Sequence, residues 1–147
     1  METVEKILLI DDDADEFYLL KEAVSRVRKD IQCLYANGVV DAFSLLEDIK
    51  GTLPDIIFLD VNMPLHNGRD CLKALKQSKR FSNIPVVMYT VQDLQSDEKA
   101  ELRTLGASFF LQKPHLKELV LILRFLLGER QTTSDYKEVE RLLLKLG

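Results

Sequence analysis

The chain has no tryptophan, and only two cysteines, two histidines, four prolines and six glycines in 147 residues. Cys33 and Cys71 stand alone in apolar surroundings, too few for a disulfide framework and without the paired spacing of a zinc site. They are expected to be reduced core residues, which points to a cytoplasmic compartment. His66 and His115 are read as ordinary polar residues, one in a loop and one at a helix start. Long hydrophobic runs are also missing. The longest, Leu119 to Leu127, is broken by Arg124 and is too short to cross a bilayer. The start of the chain is acidic and its apolar run covers only Ile7 to Ile10, which does not fit a signal peptide. No membrane association is expected. Net charge is −4, and the basic residues are scattered, so no direct nucleic-acid contact is expected either. No repeat or low-complexity tract divides the chain.

What is present is an ordinary globular balance, 46% hydrophobic and 30% charged residues, enough for one core. Five short apolar runs alternate with five helical patterns. The runs are Lys6–Ile10, Ile31–Ala36, Asp55–Leu59, Ile84–Tyr89 and Ser108–Gln112. Helical spacing predicts helices from about Ala14 to Arg28, Val39 to Lys50, Gly68 to Gln77, Ser96 to Leu105 and Leu116 to Leu127. Strictly alternating strands and helices imply parallel strands joined by right-handed crossovers, an α/β doubly wound five-stranded sheet. A polar connector from residue 128 to 134 precedes a short C-terminal amphipathic helix, with Asp135 and Glu138 as its capping pair and Tyr136, Val139, Leu142, Leu143 and Leu146 on its apolar face. The expected division is a domain over 1–128 and a connector and tail over 129–147.

In a parallel sheet every strand's carboxyl end lies on one edge, and ligands gather beyond it. Strand one brings Asp11 and Asp12 to that edge, strand three Asp60, strand four Thr90 and strand five Lys113. Two like charges ~4 Å apart repel by roughly 4 kcal/mol at an effective dielectric of about 20. A hard divalent cation relieves that repulsion, and an all-oxygen donor set favours Mg²⁺. A carboxylate beside such a cation can attack a phosphoryl group and carry it as an aspartyl phosphate. The Thr90 hydroxyl and the Lys113 ammonium would then contact its oxygens.

These residues carry a resemblance. Leu8-Leu9-Ile10-Asp11-Asp12, Leu59-Asp60-Val61-Asn62-Met63-Pro64, Val87-Met88-Tyr89-Thr90 and Lys113-Pro114 together resemble the receiver domain of two-component response regulators, over residues 5–128. The resemblance implies the strand order 2-1-3-4-5. It implies Asp60 as phosphoacceptor, charged by a sensor histidine kinase or a phosphotransfer protein, with no classical enzyme activity. It further implies Mg²⁺ on Asp11, Asp12, Asp60 and the Asn62 backbone carbonyl, Lys113 on the phosphate ahead of a cis peptide at Pro114, and Thr90 with Phe110 as a switch pair. Output would be contact with a downstream protein target or phosphorelay, as expected of a single-domain regulator. Val91 stands where the family usually has Ala or Gly, and could narrow access to Asp60. An alternative, a phosphatase of the haloacid dehalogenase type, would use Asp11 as nucleophile and leave Asp60 idle.

One expectation comes from patterning alone. The fifth helix is apolar nearly all round, and a sheet covers one face only. Either the tail folds over the remainder, or a homodimer forms through the fourth helix, fifth strand and fifth helix.

Overall fold

The computed structural model describes residues 3–63, 65, 67–129 and 132–144. Pro64, His66 and Leu146, singled out above, lie outside them. Within them the chain runs β1 (Lys6–Ile10), α1 (Ala14–Val27), β2 (Gln32–Ala36), α2 (Val39–Asp48), β3 (Ile56–Asp60), α3 (Gly68–Gln77), β4 (Val86–Thr90), α4 (Ser96–Leu105), β5 (Phe109–Gln112), α5 (Leu116–Leu126), α6 (Thr133–Leu142) and β6 (Leu143–Leu144). The sheet order is β2-β1-β3-β4-β5-β6. The first five strands pair in parallel, as the alternation requires.

β3 and β4 are buried along their whole length, which explains why they read as unbroken apolar runs. Successive side chains feed two cores. Leu8, Ile10, Ile57, Leu59, Met88 and Phe110 pack beneath α2, α3 and α4. Ile7, Leu9, Phe58, Val87, Tyr89 and Leu111 pack beneath α1 and α5. Cys33 and Cys71 are both free, the second fully buried.

The tail differs from its sequence reading. The N-cap of α6 is Thr132, whose hydroxyl accepts from the Asp135 N–H while the Asp135 carboxylate accepts from the Thr132 N–H. Asp135 is therefore the third helical residue and not the cap. The helix ends at Leu142, and Leu143–Leu144 leave it to pair antiparallel with Phe110 and Leu111 of β5. An exposed strand edge is a row of unpaired N–H and C=O groups, and two residues of tail suffice to pair part of it. Val139 and Leu143 are buried in the same core as Leu119, Ile122, Leu123 and Leu127 of α5. The tail thus lies over the apolar helix.

The backbone corrects one further expectation. Among the described residues no peptide bond is cis, so Lys113–Pro114 is trans. Trans is the favoured isomer even before proline, by about 0.5–1 kcal/mol, and from it the chain passes directly to the N-cap of α5 at His115.

Candidate functional site

Asp11, Asp12 and Asp60 offer one carboxylate oxygen each, all within 4.8 Å of one another. Asp60 ends β3, while Asp11 and Asp12 follow β1, its neighbour in the sheet, so strand pairing alone brings them together. Asp11 is fully buried and Asp60 nearly so, whereas Asp12 is exposed. Three oxygen donors, two of them out of water, suit a hard divalent cation of the Mg²⁺ kind.

Lys113, just past β5, reaches across the rim. Its Nζ donates to Asp11 Oδ2 at 2.8 Å and lies 3.9 Å from both Asp60 Oδ2 and Glu16 Oε1. It also stands 5.3 Å from the centroid of the Tyr89 ring. Burial opposes its charge, but the hydrogen bond to Asp11 and the charges of Asp60, Asp11 and Glu16 outweigh it and hold its pKa above the ordinary lysine value. The balance is opposite at Asp60. Burial, with smaller repulsions from Asp11 and Asp12, outweighs Lys113 and the Asn62 N–H, and the carboxyl is pushed up to about 6.

The remaining sequence-predicted residues lie around this centre. The Asn62 N–H donates to Asp60 Oδ1 at 3.2 Å. Thr90 ends β4 with 2% exposure, and its Oγ1 accepts from the Gln92 N–H. Its carbonyl accepts from the Lys113 N–H at 2.6 Å, tying the two strand ends together. Phe110 pairs with Met88, two residues before Thr90, so Thr90 and Phe110 share a sheet face. Phe110 is fully buried. Val91 lies at the rim, 66% exposed.

The loop after Asp60 is held by a close approach. A Cβ on Gly68 would lie 2.2 Å from the Asp60 carbonyl oxygen, and the Gly68 N–H donates to the Val61 carbonyl. Only glycine lets α3 begin this near the end of β3. Between them Leu65 adopts φ 69° and is 99% exposed.

Sequence reading missed Glu16 and Tyr89 in this site. Tyr89 read only as a strand residue. Glu16, in the first turn of α1, lies outside every motif that pointed to the rim.

A buried parallel sheet in this strand order, with an acidic, lysine-bearing pocket at its carboxyl rim, defines an α/β domain of the flavodoxin-like kind. The family model of the response regulator receiver domain matches residues 7–124, and the chain belongs to that family. Receiver domains are signalling domains of two-component systems, phosphorylated on an aspartate, and they bind Mg²⁺ at an acidic pocket such as the Asp11, Asp12 and Asp60 cluster. The chain is similar to the transcriptional regulatory protein CpxR of Escherichia coli K12, 36% identical over 152 residues, covering 97% of this chain and 61% of CpxR. It thus spans about three-fifths of that relative's length. Protein PilG of Pseudomonas aeruginosa is 31% identical over 116 residues, 79% of this chain and 82% of PilG. Among solved structures, the Mn²⁺-bound form of response regulator Rcp1 superposes with a TM-score of 0.75 at 24% identity, covering 86% of this chain and 97% of that one. The chemotaxis regulator CheY4 of Vibrio cholerae gives 0.71 at 24%, covering 85% and 100%. These two likenesses concern the fold. Among the described residues no helix is long and apolar enough to cross a membrane.

Proposed function

We propose that Asp60 is the phosphoacceptor of a response regulator that takes its phosphoryl group from a sensor histidine kinase or phosphotransfer protein. The supporting observation is the convergence of Asp11, Asp12, Asp60 and Lys113 on one point of the sheet rim. An Asp60 oxygen attacks phosphorus, the bond to the donor imidazole breaks, and the imidazole leaves with its nitrogen lone pair and takes up a proton. No general base is needed, because the nucleophile is already an anion. Lys113, 3.9 Å from Asp60, neutralises charge on the transferred group, and the Thr90 hydroxyl at the neighbouring strand end hydrogen-bonds one of its oxygens. Asp11, Asp12, Asp60 and the Asn62 carbonyl would hold Mg²⁺, which when bound would supply positive charge favouring ionised Asp60 and shielding the phosphoryl oxygens. Drawing Thr90 toward the phosphoryl group opens space in the core face it shares with Phe110, and the ring responds there. Output follows through phosphorylation-dependent contact with a protein target or through relay of the phosphoryl group. The chain divides functionally into a receiver over 1–128 and a tail over 129–147.

Asp11 is a poor nucleophile in comparison. Its Oδ1 accepts from the Asp13 N–H, its Oδ2 from Lys113, and it has no exposed surface. Treatment with a small phosphodonor and Mg²⁺, followed by peptide mapping, tests the assignment. The label is expected on Asp60 and absent from Asp60→Asn; a label on Asp11 that survives that substitution overturns it.

A further inference from the structure

Glu16 occupies a position whose ordinary use is structural. It is the third residue of α1, whose N-cap is Asp13, and an acid there commonly turns back to the N-cap N–H. Among the described residues three helices do so. Glu98 accepts from the Gln95 N–H, Glu118 from the His115 N–H and Asp135 from the Thr132 N–H. In α1 that N–H is already taken by Asp11 Oδ1 at 2.9 Å. Glu16 is left without its capping partner, and its side chain is directed toward the pocket.

There, among the described residues, it meets a single cation. Glu16 Oε1 is 3.9 Å from Lys113 Nζ, with the side chain 20% exposed. Its other oxygen, Oε2, is buried and accepts no hydrogen bond from the protein, and the buried Tyr89 hydroxyl is likewise without a partner. A buried carboxylate oxygen without a donor is unfavourable, so packing alone does not account for Glu16. The other groups facing it are the acids Asp11, Asp13 and Asp15, which repel it. Lys113, hydrogen-bonded to Asp11 at 2.8 Å, thus lies at equal distance, 3.9 Å, from two further carboxylates, Asp60 and Glu16.

We propose that Glu16 is a positioning residue for Lys113, holding the ammonium toward α1 and opposing its movement onto a phosphoryl group at Asp60. The inference rests on the phosphoacceptor reading and deepens it. A phosphoryl group adds negative charge beside Asp60. Glu16 competes for Lys113, which neutralises that charge, and also repels it directly. Both effects lower occupancy of the phosphorylated state. For the metal the sign reverses. Glu16 adds negative charge near the cation site and draws Lys113 aside, and both favour Mg²⁺.

Beryllofluoride, a phosphoryl mimic, tests this on the full chain. Its affinity at saturating Mg²⁺ is read by ¹⁹F NMR in the unsubstituted protein, Glu16→Gln, Glu16→Met and Asp60→Asn, and Mg²⁺ affinity is measured separately. Removing the charge is expected to tighten beryllofluoride about three- to tenfold and to weaken Mg²⁺ about two- to fivefold. A merely structural role gives no such opposition, because a damaged pocket binds both more weakly. The Met variant guards against a glutamine amide that reproduces the contact with Lys113. An adduct in the unsubstituted protein with unchanged or weaker beryllofluoride binding in both Glu16 variants overturns the proposal while leaving Asp60 as acceptor. No adduct in the unsubstituted protein, or one that persists in Asp60→Asn, overturns the phosphoacceptor reading itself and this one with it.

Discussion

Lys113 and Lys76 are both drawn partly out of water, yet their surroundings drive their titration in opposite directions. Lys76, in the last turn of α3, donates to the backbone carbonyls of Ser82 and Ile84 at 3.0 and 2.8 Å. Burial lowers its pKa, and among the described residues no charged partner offsets the loss of water. Lys113 is buried as well, but Asp11, Asp60 and Glu16 surround it and its pKa is raised. Neutral carbonyls are sufficient to place an ammonium in a fold; a group of carboxylates gives it a charge to exchange. Lys76 is thus part of the scaffold, and Lys113 part of a balance that an incoming anion can tip.

The largest expected effect separates the two. Lys113→Met is expected to slow phosphorylation of Asp60 by a small donor by about 10²–10³-fold, the magnitude of losing one charge-stabilising contact in a transition state. Lys76→Met, with no contact to the pocket, is expected to leave the rate within about twofold. Intact-mass time courses at saturating Mg²⁺ measure both. Comparable losses in the two variants would erase the distinction.

Next in size is a pH effect set by the carboxylate facing Lys113. Asp60 titrates at about 6 in the fold, against an ordinary 3.8, so the folded state binds protons more tightly than the unfolded chain. Its contribution to stability is therefore present below pH 3.8 and lost as pH rises through about 6. A rise from 3.8 to about 6 corresponds to about 3 kcal/mol. Without divalent cations, Asp60→Asn should gain stability over the unsubstituted protein by up to about that amount between pH 4 and 7. Mg²⁺ should narrow the gap. Urea denaturation at several pH values reads it, and parallel curves for the two proteins would show that Asp60 carries no such burden.

The difference between the lysines also shows what a sequence discloses. Lys113 was legible because it ends an apolar run, and a parallel sheet sends every such end to one rim. The fold was legible for the same reason: buried strands leave unbroken apolar stretches, and helices leave a 3.6-residue period. Three features were not. Leu142-Leu143-Leu144 fits a helical face as well as a strand, and only the free edge of β5 decides between them. Thr132 and Asp135 are both good caps, and the choice depends on where the connector delivers the chain. Glu16 has the pattern of a capping acid, and its release toward Lys113 depends on Asp11 taking the Asp13 N–H first. Each is settled by a competition between partners, which spacing does not record.

The smallest expected effect belongs to Lys76. Its ammonium holds the turn that leads from α3 into β4, and its stem lies against the C-cap of α4, where a Cβ on Gly106 would come within 2.9 Å of Lys76 Cγ. Lys76→Met keeps most of the stem but removes both donors, while Lys76→Ala removes the stem as well. The Ser82 carbonyl belongs to a half-exposed residue and can be rehydrated, so the Met variant is expected to lose only about 1–2 kcal/mol. The Ala variant should lose more, because the packing beside Gly106 goes with it. Both should retain the beryllofluoride affinity of the unsubstituted protein. Chemical denaturation and the ¹⁹F titration together decide the matter. A Met variant as stable as the original would make the two hydrogen bonds dispensable, and a Met variant with altered beryllofluoride binding would make Lys76 part of the site after all.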